Sequence, residues 1–468
     1  MKLNFLVILL VIFNVSISNI SIFAEDSFNL KIKEELYFSS TNSMPHYLKA
    51  NKWGLLNNET FQANTIINAS KSYTLNNDWS FDLGLETGFG LSENPDLKLS
   101  ELYGQINYKF LEFFIGKKKH TQGHNPIELS GGSMTVSPNA SPIPKIYVGL
   151  SDFITVPHTA GFLQVYGNIS NGWLQGDRYI KGVYLHEKSF FLRVNSKVGL
   201  LPYGGIVHEA LWGGEFAEGE RKGESLSDLS LSNIGKIFLA KSGGEDAAVE
   251  GEKINKLGNH LGAWEFGIYG FYDIINFQFY YQHFFEDASG KGLENEYDGL
   301  WGITFQPNKI NYIDNMLFEI LTTLNQSGEY HDINGEILGG RDSYYDHYIY
   351  KNGWTHLNHI IGNSFFSTSG EDSNLRVSSN RIQAYQFGIN GTIINKFNYK
   401  SQIAYANYYP AYSEISKYSK KEFMCYLYNE VEVEDFITEN ISFKIGIAYD
   451  FGSLKNSFGI LSAFEWSL

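Results

Sequence analysis

Phe458-Gly459-Ile460-Leu461-Ser462-Ala463-Phe464-Glu465-Trp466-Ser467-Leu468 is the stretch whose reading decides the fold. The even positions hold Phe458, Ile460, Phe464, Trp466 and Leu468, with Ser462 the exception. The odd positions hold Gly459, Leu461, Ala463, Glu465 and Ser467. A period of two belongs to an extended strand, whose side chains point alternately to opposite faces. Here one face is greasy and aromatic and the other is small or mixed. The preceding segment repeats the rhythm: Ile441, Phe443, Ile445, Ile447, Tyr449 and Phe451 alternate with Ser442, Lys444, Gly446, Ala448 and Asp450.

The same pattern recurs far upstream. Trp79, Phe81, Leu83, Leu85 and Phe89 alternate with Ser80, Asp82, Gly84, Glu86 and Gly88. Tyr385, Phe387, Ile389 and Ile393 alternate with Ala384, Gln386, Gly388, Asn390 and Thr392. Phe28, Leu30, Ile32, Leu36 and Phe38 mark one more such face. A soluble sandwich can produce one aromatic face; repetition on this scale predicts a wall that meets lipid. The last strand also looks like the C-terminal signal read by the barrel-assembly machinery. The expectation is an all-β protein, a transmembrane antiparallel β-barrel. At one strand per roughly 25 residues it would have about 16–18 strands.

Composition agrees. The chain has 468 residues with 35 Phe, 31 Tyr and 46 Gly but only 10 Pro, the mixture that barrels with aromatic girdles and unbroken ladders need. The mean hydropathy is −0.23, as expected when half of each strand faces a polar lumen and not lipid. The net charge of −15 argues against nucleic acid as a partner. The single cysteine, Cys425, excludes an internal disulfide and reads as a small apolar strand residue.

Residues 1–24 read as a secretory signal: Lys2, an apolar run from Leu3 to Val15, and cleavage after Ala24. Beyond Ala24 no apolar run reaches the roughly 18 residues of a membrane helix. Any insertion must then use strands. Residues 25–468 read as one domain, with outer-membrane lipid as its solvent.

Two segments depart from the strand rhythm. Between Arg221 and Gly243, the residues Leu226, Leu229, Ile234, Ile237 and Phe238 fall at helical spacing, with Ser225, Ser227 and Asp228 as start signals and Gly243-Gly244 as a stop. This predicts one amphipathic helix, in the lumen or at a mouth, plugging the barrel. The stretch from Gly116 to Pro157 carries Gly123, Pro126, Gly131, Gly132, Pro138, Pro142, Pro144 and Pro157 and reads largely as loop.

Several blocks follow in order: Leu99-Ser100-Glu101-Leu102-Tyr103; Ile115-Gly116-Lys117-Lys118; Gly132-Ser133-Met134; and Asn139-Ala140-Ser141-Pro142-Ile143-Pro144-Lys145. Then come His208-Glu209-Ala210-Leu211-Trp212-Gly213-Gly214, Leu257-Gly258-Asn259-His260-Leu261-Gly262, Tyr281-Gln282-His283 with Glu286-Asp287, and Asp298-Gly299-Leu300-Trp301-Gly302. Gly353-Trp354-Thr355 and Ile361-Gly362 end the series. Together they resemble the capsule assembly Wzi family of outer-membrane proteins. The resemblance implies an 18-stranded barrel, closed by helical elements at the periplasmic end and by loops at the outer one. It also implies a lectin-like, non-catalytic role in holding surface or capsular polysaccharide. Asn358 and Ser141 stand where the family commonly has Arg, so ligand preference would differ if those arginines touch acidic sugar.

Sugar binding needs flat aromatic faces together with amides, carboxylates and guanidinium groups. Arg341, Asp342, Tyr344, Tyr345, Trp354 and His356 supply that mixture, and Trp212 and Trp301, each beside Gly, add to it. An interfacial aromatic girdle would contain the same residues. His120 and His124 sit at metal-like spacing, but in a segment too rich in Lys and Gly for a helix; His356 and His359 make a weaker pair. No metal or cofactor is expected. His208-Glu209 and His260 read as lumen polar residues. Glu286-Asp287, adjacent on a strand, would point to opposite faces and cannot easily share a substrate. No nucleophile elbow, phosphate-cradling loop or Cys–His pair is present, so no enzyme is expected. The competing reading is a passive porin, since porins use 16–18 strands. A hydrolase acting on lipid or protein stands third and lacks a catalytic set.

Overall fold

The computed structural model describes residues 25–467 apart from 246, 255, 287–289, 291, 328–331, 334–335, 338–339, 341, 395 and 413–419. Residues 1–24, read as a signal, lie outside the described residues. Eighteen strands form the wall. The first six are β1 (Glu25–Ser39), β2 (Phe61–Thr74), β3 (Trp79–Leu91), β4 (Asp96–Tyr108), β5 (Leu111–Lys117) and β6 (Pro144–Leu150). They are followed by β7 (Leu163–Trp173), β8 (Tyr184–Val194), β9 (Leu200–Trp212), β10 (Asn259–Phe271), β11 (Ile275–Phe285) and β12 (Gly299–Pro307). β13 (Asn315–Thr322), β14 (Arg381–Ile394), β15 (Phe397–Tyr409), β16 (Glu422–Val433), β17 (Ile441–Gly452) and β18 (Ser457–Ser467) complete the set. Each pairs antiparallel with the next. β18 returns to β1 in register from Lys31↔Ser467 to Ser39↔Gly459, which closes the sheet. Closure removes the exposed edges an open sheet would present. The expected barrel is therefore present, at the upper end of the expected strand number.

The alternation in the sequence maps directly onto the wall. Ile445, Ile447 and Tyr449 on β17 and Phe458, Phe464 and Trp466 on β18 are exposed on the outside. Ala448, Asp450, Leu461 and Ala463, which alternate with them, are buried inside. Phe89 on β3, Leu36 and Phe38 on β1, and Tyr385 and Phe387 on β14 share the outward face. Cys425 lies between inward-facing Met424 and Tyr426 on β16, which places it on the outer face as a wall residue.

The two mouths differ. Short turns such as 75–78, 109–110 and 272–274 join the strands at one end. Long segments, 40–60, 118–143, 213–258 and 323–380, emerge at the other. Three of these enter the lumen: 40–60 through a short helix, and 118–143 and 323–380 as irregular segments. Residues 129–140 are irregular and buried throughout. A buried loop must have its backbone polar groups satisfied, and inward-facing amides and carboxylates of the wall do this. Glu319 accepts from Gly131 N (2.9 Å) and Ser130 Oγ (2.6 Å). Gln282 accepts from Met134 N (2.9 Å), Glu265 accepts from His124 N (2.8 Å), and Gln402 donates to Leu129 O (3.0 Å). Pro144, at the first position of β6, ends the loop without breaking a ladder.

The second irregular segment packs on the first. Trp354 Nε1 donates to Thr135 O (2.7 Å), and Tyr345 OH donates to Met134 O (2.5 Å). Gly353 has φ +64, and a side chain there would meet the Tyr345 carbonyl, so only glycine fits beneath Trp354. A one-turn helix, α1 (His46–Lys49), buries Tyr47 and Leu48 against inward-facing residues of β16 to β18. The largest apolar cluster is thus inside the barrel, made of these segments and the inward wall.

The predicted amphipathic helix is real but shorter and placed elsewhere. α2 spans Leu231–Phe238, with Ser230 Oγ capping Asn233 N. The stretch before it is drawn into pairing with residues 214–216, shown by Leu226 N→Gly214 O (2.9 Å), which cancels the Ser225 start. α2 packs on the outward face of β8 to β10 at the long-loop end, where Ile237 joins Ala210, Trp212 and Leu257. It therefore neither plugs the lumen nor closes the short-turn end. Within the lumen α1 is the helical element. A second short helix, α3 (Glu250–Ile254), follows α2 in the same connection.

Candidate functional site

Two clefts open on the long-loop end, above the filled lumen. The first, a cavity of about 370 Å³, is bordered by Lys98, Lys117, Ser141, Arg178, Asn358 and His359, among others. Its cations are held by backbone and side-chain oxygens, and Lys98 also pairs with Asp96 at 3.4 Å. Lys98 Nζ donates to Gly54 O (3.0 Å) and Asn57 Oδ1 (2.9 Å), and Lys117 Nζ donates to Leu99 O (2.6 Å). Arg178 donates to Thr355 O (2.6 Å) and Gly353 O (3.2 Å), and its Nε has no hydrogen-bond partner. Among the described residues neither Lys117 nor Arg178 forms an ion pair. Burial lowers Arg178 to about 10, which still leaves it charged at neutral pH.

The second cleft, about 310 Å³, is aromatic. His46, Phe365, Tyr408 and Tyr426 line it, with Lys49 and Lys455 at its border. The His46 ring stacks on Phe365 at 5.0 Å and lies 4.6 Å from Tyr426. Tyr408 and Tyr426 share a hydroxyl–hydroxyl bond of 2.8 Å. Burial, then Lys455 and Lys49, push His46 down to about 3, so it presents a neutral ring. Burial, with Lys455 and Lys98 nearby, lowers Lys49 to about 8.

Asn358 and His359 line both clefts. They sit at the end of a small hairpin, Thr355–His356 paired with His359–Ile360. Leu357 and Asn358 form its two-residue turn with φ 47 and φ 66. Both values positive is the type I′ geometry, which Asn accepts more readily than Arg. Asn358 also ties the turn down, accepting from Asp372 N (3.0 Å). Burial, then Lys49 and Lys98, hold His359 well below the usual imidazole range. Ser141 and Asn358 both border the first cleft.

The residues singled out in the sequence divide into three groups. Tyr344, Tyr345, Trp354 and His356 come together, but as buried supports of the intruding segment. His356 Nδ1 accepts from Gln175 N (3.3 Å), directly beneath the first cleft. Asp342 accepts from Ser327 Oγ (2.5 Å) at the long-loop end, and Arg341 lies outside the described residues. Trp212 and Trp301 are on the outer face of the wall: Trp212 is covered by α2, and Trp301 stacks on Tyr281 at 3.6 Å. Neither lines a cleft. The expectation for His208 and His260 is corrected too. Alternation turns Glu209 inward and His208 outward, where it bonds His260 at 3.0 Å under α2. His120 packs on Tyr147 and His124 on Phe191, each inside a cage of rings. Glu286 accepts from Tyr345 N (2.6 Å), and Asp287 lies outside the described residues.

No family model and no curated relative matches the sequence. Solved structures do. Wzi of Escherichia coli, described as a carbohydrate-binding outer-membrane β-barrel involved in group 1 capsule assembly, superposes with a TM-score of 0.57 at 14% identity, over 93% of this chain and 83% of Wzi. The protein is an outer-membrane β-barrel. OccK5 (OpdH) of Pseudomonas aeruginosa follows at TM-score 0.49 and 7% identity, covering 95% and 98% of the two chains. OccAB2 of Acinetobacter baumannii has TM-score 0.47 and 10% identity, covering 95% and 98%. In an outer-membrane barrel the short turns are periplasmic and the longer loops extracellular. Both clefts of this outer-membrane protein therefore open toward the cell exterior.

Proposed function

We propose that the protein holds a surface polysaccharide with acidic substituents in the paired clefts, in the manner of the capsule assembly Wzi family, without catalysing a reaction. The observation that supports this is the juxtaposition at the outer mouth. Rings that can face sugar rings stand beside unpaired cations, across a shared hairpin and above an occupied lumen. The aromatic cleft offers His46, Phe365 and Tyr426 for the apolar faces of sugar rings. The first cleft, where Lys98, Lys117 and Arg178 stand among Asp96, Asp177 and Asp372, offers Lys117 and Arg178, which have no carboxylate partner among the described residues, for carboxylates. A long glycan crossing the hairpin would touch both. The test is binding of surface polysaccharide, extracted from the host, to the purified protein in detergent. Arg178→Ala and Phe365→Ala should each weaken retention at least tenfold. Equal retention by both variants would refute the reading.

A passive channel is the second reading. A cavity of about 440 Å³ on the opposite side of the plug, lined by Lys33, Lys52, Glu35 and Glu86 among others, favours solute entry from the periplasm. Conductance separates the two.

A further inference from the structure

α2 carries more apolar surface than the wall can cover. At about 100° per residue, Ile237, Ile234, Phe238, Leu231 and Leu239 fall in one continuous arc, with Ser232, Lys236 and Asn233 opposite. Part of that arc meets the barrel: Ile237 is buried, Ile234 packs against the Trp212–Leu257 cluster, and one edge of Phe238 lies against His186 and Lys188 of β8. The rest points away from the wall. Leu231 is 89% exposed and Leu239 58%, and Phe238 is exposed beside them. Leu229, just before the helix, adds to the patch.

The location of the patch identifies what covers it. α2 lies on the outer wall and not over the mouth, because Ala210 and Trp212 alternate with inward-facing Glu209 and Leu211. On the same strands Phe190 and Phe266 are exposed lipid-facing residues, directly below the helix. Lys188, two positions above Phe190, reaches up to donate to Phe238 O and holds its ammonium 4.0 Å from the Phe238 ring. The bare arc is therefore continuous with the lipid-facing belt. At the same level on β7, Trp173 is exposed and pairs with Tyr184. Trp173 is a girdle residue, of the kind that sits at the headgroup boundary. On β8 to β10 the helix covers that girdle and takes its place.

We propose that α2 is a membrane-surface element. It lies in the outer leaflet at the headgroup boundary, with acyl chains covering Leu231, Phe238 and Leu239. A helix with one apolar side and one polar side lies in that plane when its apolar side enters the acyl region. The barrel wall supplies part of the burial and lipid the rest.

The full-length mature protein in phosphatidylcholine nanodiscs tests this. In a Cys425→Ser background, Leu231→Cys is labelled with an environment-sensitive fluorophore. Leu357→Cys, on the hairpin turn above the clefts, is the reference. The label at 231 should emit to the blue of the label at 357. Nitroxide lipids labelled high on the acyl chain should quench it at least threefold more than iodide does. The order should reverse at 357. Leu239→Cys gives an independent site on the same arc, and heat-dependent gel migration confirms that each variant is folded. Iodide quenching at 231 and 239 equal to that at 357, in folded protein, would overturn the proposal.

Discussion

Single positions on the wall behave according to the face they occupy. Ile447 is exposed near the middle of β17, whereas Ile441 stands at its short-turn end. Lysine at mid-bilayer depth costs about 2–4 kcal/mol and near the interface about 0–1. Ile447→Lys should therefore lower unfolding stability in lipid vesicles by that larger amount, and Ile441→Lys should hardly change it. Urea unfolding of the two variants checks this; equal losses would contradict a lipid-facing β17. In the aromatic cleft, Lys49 is a residue whose charge changes near physiological pH. Its value of about 8 means that it is charged below that pH and neutral above it. Retention of an acidic glycan should fall as pH rises from about 7 to about 9. Lys49→Arg should make that fall shallower. Binding constant across the window in the unaltered protein would remove Lys49 from the site.

At the scale of elements, strands were legible in the sequence and the elements between them less so. A period of two reports which residues share a face, and a closed wall leaves only two environments to fill. Helical periodicity reports an apolar side without saying what it meets. That is why α2 was visible as an amphipathic segment while its seat on the outer wall was not. The Gly- and Pro-rich stretch was legible as a loop, but its route into the lumen depends on Glu265, Gln282, Glu319 and Gln402, on four different strands. The plug is held mainly by these polar contacts and by Trp354 and Tyr345 from the second segment. Replacing residues 122–139 by a short Gly-Ser linker should leave the closed wall intact and open a steady conductance in planar bilayers. Folded deletion protein without conductance would show that another segment seals the lumen.

For the whole molecule, the candidate site illustrates the limit of sequence reading. Arg178, Lys98, His46, Phe365 and Tyr426 come from separate loops and strands that meet only when the barrel closes. None carries a local pattern that marks it. Trp354 and Tyr345 were singled out for their aromatic and polar setting, and that setting supports the cleft floor from beneath. Trp212 and Trp301 were ambiguous in the sequence between ligand contact and girdle, and the outward face of the wall is where both reside. The barrel is a filled scaffold whose clefts, the proposed glycan site, open to the exterior. Single-channel recording of the intact purified protein in planar bilayers tests that most directly. A sealed lumen gives no steady openings from the intact chain and clear openings from the 122–139 replacement. Large, steady openings from the intact chain would contradict it.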